Sequence, residues 1–328
     1  MKLPFEGVKR EVLIKKKSVS SSRHGKRPED RSVEESIQYG VVNINKPSGP
    51  TSHQVSAYVQ KILNIKKTGH SGTLDPKVTG VLPVALGKAT KVAQPLLKSG
   101  KEYVAIMHIH KNIPENKIKS TVKEFVGKIR QLPPIKSAVK REWRFRTVYY
   151  LEILEIDERD VLFIVGCEAG TYIRKLISDI GKRLETGAHM TELRRTKAGP
   201  FNEESLVTLQ DLQDAYIFYK EGDEKELKKI IQPVENAISH LPKVWVVDPT
   251  ISSICHGASL NVPGISKIES GIETDQEVAI MSLKDELVAT GRARMSSKDM
   301  LNSKKGLAVK PERVFMERDT YPKTPSAD

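Results

Sequence analysis

The sequence predicts an α+β protein with two domains. From about residue 40 to residue 231, stretches with alternating apolar residues, typical of strands, are interspersed with stretches of helical apolar periodicity. After about residue 241, short strand patterns separated by glycine, proline and polar turns dominate. The length of 328 residues also favours two domains over one.

Residues 1–36 are predicted to form a basic N-terminal arm. The segment is polar, contains Lys15-Lys16-Lys17 before a serine-rich stretch, and shows no sustained periodicity. Residues 3–14 hold enough Val, Leu and Ile to pack against another surface. We therefore expect an arm that is partly disordered or packed on the C-terminal domain.

The first domain is predicted to span residues 37–240. Its first strand covers 40–45 and stops at Lys46-Pro47-Ser48-Gly49-Pro50, after which Thr51 and Ser52 are good N-caps for a helix. Further strands are predicted at 101–109, 147–156 and 161–167, and helices at 120–129, after Gly170-Thr171, at 209–219 and at 224–231.

A change of composition near Leu241-Pro242 predicts the domain boundary. Strand candidates follow at 243–247, 277–283, 286–293 and 307–315. These strands predict a small β-rich domain over 241–317, followed by a polar tail at 318–328.

The charge of the chain points to a polyanionic partner, first of all nucleic acid. Lys and Arg total 54 against 41 Asp and Glu, which gives a net charge of +13. We find no apolar run of the roughly 20 residues that a membrane span needs, and no apolar core of a secretory signal, so we expect an intracellular, cytoplasmic protein without a membrane partner. The two cysteines, Cys167 and Cys255, are too few for a disulfide framework or a Cys-type zinc site, and no metal is expected.

The most informative stretch is His70-Ser71-Gly72-Thr73-Leu74-Asp75-Pro76. The Asp-Pro step disfavours the right-handed helical region for Asp75, which presents one carboxylate on a loop. That carboxylate is suited to act as an acid, a base or a nucleophile, although an Asx-type turn before proline explains the same pattern. A phosphate-binding loop at Gly80 to Ala89 is rejected, since the spacing is too long and Ala89 stands where magnesium needs a hydroxyl. No dinucleotide fingerprint is present, and no cofactor is expected.

Five stretches together, in this order and spacing, resemble the TruB family of pseudouridine synthases. They are Lys46-Pro47-x-Gly49-x-Thr51-Ser52-His53, Gly69-His70-x-Gly72-Thr73-Leu74-Asp75-Pro76, Lys101-Glu102-Tyr103, Gly170-Thr171-Tyr172-Ile173-Arg174 and Leu193-Arg194-Arg195-Thr196-x-x-Gly199-Pro200-Phe201. The basic N-terminal extension, residues 137–141 and the C-terminal β domain further resemble the archaeal relative of dyskerin.

That resemblance implies a pseudouridine synthase fold, in which helices flank a mixed central sheet, plus a small β-barrel-like PUA domain. It implies that Asp75 is the catalytic aspartate, acting as a nucleophile or as a base that forms a glycal intermediate; the sequence leaves both open. It also implies that Arg174 pairs with Asp75 and that Tyr103 lies against the uracil. Four further substrate-binding residues are implied: Tyr172, Leu193, His70, and Lys46, which supports the active-site loop or contacts phosphate.

A basic and aromatic segment between Lys128 and Arg146 is predicted to contact RNA. It contains seven Lys or Arg and one acid, interleaved with Trp143 and Phe145, a composition that suits phosphate contact and base stacking. The candidate contact residues are Lys136, Lys140, Arg141, Arg144 and Arg146.

Lys175 departs from the family pattern, in which a small serine is usual.

The implied function is isomerisation of uridine to pseudouridine by two routes. One acts on the T-loop uridine of tRNA without a guide; the other acts on rRNA selected by an H/ACA guide RNA, together with small H/ACA core proteins that bind the catalytic domain. A binding scaffold of the H/ACA particle, with catalysis secondary, is the main alternative. An RNA-dependent NTPase is a second.

Overall fold

The computed structural model describes residues 1–134 and 140–322. Within these ranges the strands are β1 Val12–Ile14, β2 Gly40–Lys46, β3 Thr68–His70, β4 Thr79–Leu86, β5 Lys101–Ile109, β6 Gly127–Gln131, β7 Arg144–Asp157, β8 Asp160–Cys167, β9 Ala188–Ala198, β10 Gln232–Pro233, β11 Lys243–Val246, β12 Leu260–Asn261, β13 Ile265–Glu269, β14 Glu277–Met281, β15 Leu287–Ala293 and β16 Leu307–Val314. The α-helices are α1 Val33–Tyr39, α2 Ser52–Ile62, α3 Ala93–Lys98, α4 Glu115–Lys123, α5 Ile173–Arg183, α6 Leu209–Lys220, α7 Lys225–Ile230, α8 Asp248–Cys255 and α9 Ser297–Asn302.

The predicted α+β class is confirmed by two sheets with flanking helices. The described part of the first sheet has the strand order β10-β2-β4-β9-β5-β8-β7-β6, with β3 paired to β4. This sheet is mixed, because β4 and β9 run parallel while β5 pairs antiparallel with both β8 and β9. The described strands of the second sheet have the order β1-β13-β11-β14-β15-β16-β12.

The chain divides into two compact units. Unit 1 comprises Met1–Gly7, Val42–Val84 and Ala93–Glu221, and unit 2 comprises Val8–Val41, Ala85–Val92 and Gly222–Asp328. The sequence analysis places the boundary at 240/241, whereas this division falls at 221/222. One physical reason is that α7 and β10 belong with the N-terminal part of unit 2, since Gln232 pairs with Val41 in a strand ladder.

The core of unit 1 is built between its sheet and one face of α5. Five apolar residues of that face and of the helix end are nearly inaccessible: Ile173, Leu176, Ile177, Ile180 and Leu184. They belong to one apolar cluster with residues of β5 and β8, among them Met107 and Phe163. The predicted strand at 101–109 has the bounds that the structure gives β5.

The predicted helix over 120–129 is wrong. Ser120 lies inside α4, which starts directly after Pro114, and residues 127–131 form β6. Gly127 adopts a φ of +103°, a conformation open to glycine, and redirects the chain from the helix into the strand. Ile129 then pairs with Arg146 of β7, so long-range pairing determines the conformation here.

The N-terminal residues that belong to unit 2 contain regular structure. β1 pairs antiparallel with β13, and Ser32 caps α1 by accepting a hydrogen bond from the Glu35 N–H. The Arg31 guanidinium donates to both carboxylate oxygens of Glu235 at 2.8 and 2.9 Å. This ion pair is largely shielded from water, with 11% and 10% of the two side chains exposed.

Candidate active site

The loop between β3 and β4 presents Asp75 on a fixed backbone. Leu74, the preceding residue, is buried, and its N–H donates to Ser52 Oγ at 2.8 Å. The same hydroxyl donates back to the Leu74 carbonyl at 3.2 Å, and the Val78 N–H donates to the Asp75 carbonyl at 3.0 Å. The Asp75 side chain, in contrast, is 53% exposed. The carboxylate is therefore accessible to a ligand while the backbone behind it is held.

Arg174 is the charged partner of Asp75. It stands in the first turn of α5, and its Nη2 donates to Asp75 Oδ2. The start of this helix is fixed by Gln131 at the end of β6, whose amide accepts from the Tyr172 N–H at 3.0 Å and donates to the Tyr172 carbonyl at 3.2 Å. The structure thus brings Arg174 into contact with Asp75, from which it is separated by 99 positions in the sequence.

Lys46 lies beneath the Asp75 loop and is fully buried. Its ammonium donates to the carbonyls of Pro47, Pro76 and Val78 at 2.9, 2.9 and 2.8 Å. Burial lowers the pKa of this lysine, and the nearby Asp75 carboxylate acts in the opposite direction. Of the two roles that the sequence allows for Lys46, this geometry supports the one of holding the loop, because its donors are occupied by the protein itself.

Arg195 of β9 is a second buried cation at this loop. Its side chain bonds to the carbonyls of Val81, through Nε at 2.7 Å, and of Gly72, through Nη2 at 3.3 Å. Its backbone lies so close to Gly80 that a Cβ there would meet the Arg195 carbonyl oxygen at 2.2 Å, and Gly80 has a φ of +101°. A glycine is therefore required where β4 passes β9.

The other residues predicted to line the pocket have different environments. Tyr103 on β5 is 9% exposed, stands directly opposite Arg195 in the β5–β9 ladder, and has a pKa raised by burial. His70 ends β3 with its Nδ1 buried and without a hydrogen-bond partner, and burial together with the neighbouring Arg195 charge lowers its pKa. Leu193 is half-buried on β9 and packs against the apolar core of unit 1.

The predicted RNA-contact residues lie around the β6–β7 hairpin. Lys140 and Arg141 are exposed, and Arg144 donates to the Lys140 carbonyl at 3.2 Å. Arg146 is less available, since its guanidinium is 22% exposed and stands 3.7 Å from the Glu168 carboxylate. Lys136 lies outside the described residues.

Two aromatic side chains of this hairpin carry cations over their rings. The Lys128 ammonium lies 4.5 Å from the centre of the Phe145 ring, and the Arg130 guanidinium lies 4.5 Å from the centre of the Trp143 ring. Both rings are more than half exposed. The hairpin therefore presents alternating cationic and aromatic groups to solvent.

The sequence analysis did not assign a role to Lys101, which is buried close to this site. Its ammonium donates to the carbonyls of Leu96 and Ser99, both at 2.7 Å, and burial lowers its pKa to about 7. Likewise, Ser52 was recognised only as an N-cap, and Arg195 only as part of a motif. The signal that could have found them is the presence of charged or polar residues inside otherwise apolar strand and helix starts.

Among the residues that the structure describes, no group of three or more His, Cys, Asp and Glu is arranged to hold a metal ion. Within the same ranges, none of the helices is both long enough and apolar enough to cross a membrane.

Four family models match consecutive parts of the chain. They are "DKCLD (NUC011) domain" at residues 2–56, "TruB family pseudouridylate synthase (N terminal domain)" at 60–114 and 107–173, "tRNA pseudouridylate synthase B C-terminal domain" at 174–239 and "PUA domain" at 242–315.

Curated relatives match over nearly their whole length. "Probable tRNA pseudouridine synthase B" of Pyrococcus horikoshii is 60% identical over 319 residues, which is 96% of each chain. The protein of the same name from Methanosarcina barkeri is 53% identical over 324 residues, which is 98% of this chain and 95% of the relative.

Solved structures match equally well. A chain in "Crystal Structure of a Cbf5-Nop10-Gar1 Complex" is 58% identical, with a TM-score of 0.94 over 98% of both chains. A chain in "Structure of H/ACA RNP bound to a substrate RNA containing 2'-deoxyuridine" is 56% identical, with a TM-score of 0.92 over 98% of this chain and 99% of that one.

Proposed function

Since this chain belongs to the TruB family of pseudouridylate synthases, we propose that it converts uridine to pseudouridine in two kinds of RNA. The first is tRNA, which the names of its curated relatives specify. The second is a substrate RNA bound to an H/ACA ribonucleoprotein, of which the chain forms the catalytic subunit. The single observation that carries the catalytic part of the proposal is the Asp75 carboxylate, exposed on a backbone that Ser52 and Lys46 hold in place.

The reaction requires one carboxylate and no redox partner. The bond from uracil N1 to ribose C1′ breaks, the uracil rotates and a bond from C5 to C1′ forms. The C5 hydrogen leaves as a proton and N1 takes up a proton, so that the product is an isomer of the substrate. We propose that Asp75 acts at the ribose, either as a nucleophile at C1′ or as the base that forms a glycal. Arg174 orients the carboxylate through a charge-assisted hydrogen bond.

A uridine inside folded RNA must be flipped out before Asp75 can reach it. We propose that the Tyr103 ring packs against the flipped uracil, since a ring gives stacking without selecting a particular base edge. Tyr172 and Leu193 complete the pocket wall, and His70 stabilises the flipped-out state. Such a pocket also excludes water, which would otherwise hydrolyse a covalent or glycal intermediate.

The proposed partners follow from the relatives with solved structures. Those proteins are described as complexes of Cbf5 with Nop10 and Gar1 and as an H/ACA RNP with substrate RNA. We propose that this chain likewise assembles with a guide RNA and small core proteins on unit 1, and that the PUA domain, placed at 241–317, holds the guide RNA. Because these substrates belong to the translation machinery, we also propose an intracellular location. The Lys128 to Arg146 hairpin supplies cations and exposed rings for substrate RNA.

The first test is tritium release from a tRNA transcript labelled at uracil C5, because forming the new C5–C1′ bond expels that hydrogen. The full-length chain is assayed alone and with guide RNA and small core proteins on an rRNA fragment. We expect release with the wild type and none above background with Asp75→Asn.

Asp179→Asn is the matched control, because Asp179 forms an ion pair with Lys175 within α5 and does not contact Asp75. It should retain wild-type release. RNA affinity unchanged in Asp75→Asn, with release lost, supports catalysis. Equal release by the wild type and Asp75→Asn would contradict the proposed role of Asp75, and no release by the wild type in either assay would favour the scaffold function.

A further inference from the structure

Arg195 belongs to a rare class of side chain, a fully buried guanidinium. It is 1% exposed, and among the described residues no carboxylate forms an ion pair with it. Burial lowers its pKa, which reflects the free-energy cost of keeping this charge out of water. An apolar residue of similar volume could fill the site at a lower cost in stability. The presence of an arginine therefore suggests that its hydrogen-bonding fork has a use beyond packing.

The Arg195 fork bonds to two backbone carbonyls. Nε donates to the Val81 carbonyl at 2.7 Å and Nη2 donates to the Gly72 carbonyl at 3.3 Å. Arg195 is also the cross-strand partner of Tyr103 on the neighbouring strand β5, and the two side chains interact electrostatically. Gly72 lies in the loop that carries Asp75, and Val81 lies in β4, which follows that loop. One planar group therefore holds the loop and the strand after it while standing beside Tyr103.

The middle of the same loop is held by Lys46 through the carbonyls of Pro76 and Val78. Among the described residues, the Lys46 ammonium donates to carbonyls of the loop and of Pro47 and not to Tyr103. Of these two cations, Arg195 alone is both bonded to the loop and paired with Tyr103 across the strands. The distance and angle between the Asp75 carboxylate and the Tyr103 ring therefore depend on Arg195.

We propose that Arg195 is a positioning residue for the isomerisation, which sets the Tyr103 ring in register with the Asp75 carboxylate by bonding to the Asp75 loop at Gly72 and to β4 at Val81 while standing directly opposite Tyr103 on β9. The proposal rests on the proposed function, in which Asp75 acts at the ribose and Tyr103 packs against the uracil. Arg195 itself is 1% exposed, so in this proposal it acts through the loop and Tyr103 and not on the substrate. Lysine cannot replace it, because an ammonium is a point donor without the planar fork.

The test is a double-mutant cycle with Arg195→Lys and Tyr103→Phe, measured as single-turnover tritium release at saturating enzyme. Arg195→Lys keeps the charge and loses the fork, while Tyr103→Phe keeps the ring and loses only the hydroxyl. We expect Arg195→Lys to lower the rate constant about 10²-fold, the size of effect that a misplacement of about 1 Å produces. RNA affinity should change less than about twofold, because the fork is buried. In the Tyr103→Phe background the same substitution should cost at least about fivefold less.

The readouts separate positioning from a merely structural role. Denaturant unfolding gives the folded fraction of each variant, and rates are compared only where that fraction exceeds nine-tenths. Arg31→Lys is the matched control, because Arg31 is also a largely buried arginine with a two-bond partner, but lies in unit 2. Its rate constant should equal that of the wild type.

Either of two results would overturn the proposal. One is a wild-type rate constant in folded Arg195→Lys; the other is an effect of Arg195→Lys that is the same in both backgrounds. Failure of the proposed function is a different result, since there the wild type itself releases no tritium, or Asp75→Asn releases it as fast as the wild type.

Discussion

At the residue scale, the candidate site combines one exposed cation with two buried ones. Arg174 and Asp75 are 57% and 53% exposed, so their attraction is screened by water and adds little to folding stability. Lys46 and Arg195 are buried and bond to carbonyls rather than to carboxylates. The exposed pair is therefore free to engage a substrate, while the buried cations keep the loop in one conformation.

Replacing Arg174 should separate activity from stability. We expect Arg174→Ala to lower the rate of tritium release about 10²- to 10³-fold, as loss of one preorganised donor commonly does. The free energy of unfolding should change by less than about 1 kcal/mol, because the pair is exposed. Arg183→Ala, which breaks the exposed pair of α5 with Glu124, is the control and should keep full activity. A large loss of stability in Arg174→Ala with activity per folded molecule retained would contradict this expectation.

Lys101 should make the stability of the protein depend on pH just above neutrality. Its pKa in the folded protein is about 7, against 10.5 for an ordinary lysine. Between these values the unfolded chain binds more protons, so the free energy of unfolding should rise as the pH increases, by at most about 1.4 kcal/mol per pH unit. Below pH 7 both states are protonated and this slope disappears.

The measurement is denaturant unfolding of the wild type and of Lys101→Met between pH 7.0 and 8.5. The ordinary titration of Cys begins within this window and burial raises the pKa of Cys167 and Cys255, so the slope of the wild type is compared with that of Lys101→Met, which keeps both thiols. Lys101→Met should lack the rise that Lys101 causes. Equal slopes for the two proteins would show that the carbonyls of Leu96 and Ser99 keep the ammonium charged.

At the element scale, the sequence predicted best those elements whose own residues determine them. The residues of β5 favour a strand by themselves, and its bounds were predicted as the structure has them. Thr51 caps α2 through a reciprocal pair of hydrogen bonds with Gln54, and the whole motif lies within four consecutive residues. β6 was mistaken for part of a helix because its conformation depends on pairing with β7.

The same physical distinction applies to the site. The Asp75 loop and the Arg174 motif have local signatures, and the structure brings them into contact. The roles of Lys101 and Arg195 depend on residues from several strands meeting in space, as when Arg195 bonds to Gly72 and Val81 and stands opposite Tyr103. No local pattern encodes such a meeting, which is why the sequence did not reveal it.

The β6–β7 hairpin should contribute to RNA affinity mainly through charge. We expect the logarithm of RNA affinity to fall linearly with the logarithm of salt concentration, and Arg144→Gln to reduce that slope by about 0.7 to 0.9, the value for one lost phosphate contact. Lys119→Gln is the control, because Lys119 is an exposed cation of α4 paired with Glu115. Affinity is measured by filter binding at several salt concentrations. An equal slope for the wild type and Arg144→Gln would exclude Arg144 from the phosphate contacts.

At the scale of the whole molecule, unit 2 is not a continuous piece of chain. It joins Val8–Val41 and Ala85–Val92 to Gly222–Asp328. Within it, the N-terminal segment supplies the edge strand β1, and Ser20 and Ser21 donate hydrogen bonds to the Asp248 carboxylate. A chain cut at residue 241 would therefore leave β1 without its partner β13.

If the N-terminal segment is an integral part of unit 2, two of its cations should differ sharply in their contribution to stability. Arg31 forms the shielded two-bond ion pair with Glu235, whose carboxylate also accepts from the Leu287 N–H. Lys26, in contrast, forms an ion pair with Glu35 in which both side chains are over 40% exposed. Arg31→Ala leaves a buried carboxylate without its cation and should lower the free energy of unfolding of unit 2 by about 3–5 kcal/mol.

Lys26→Ala, the matched control, should lower the same free energy by less than about 1 kcal/mol, since exposed pairs contribute little. Trp245, whose indole N–H donates to Asp285 within unit 2, reports unfolding of this unit by fluorescence once Trp143, the other tryptophan, is replaced by Phe. Small and equal effects of Arg31→Ala and Lys26→Ala would show that the segment is a loose arm in solution. A large effect of Arg31→Ala alone means that residues 8–41 fold as part of unit 2.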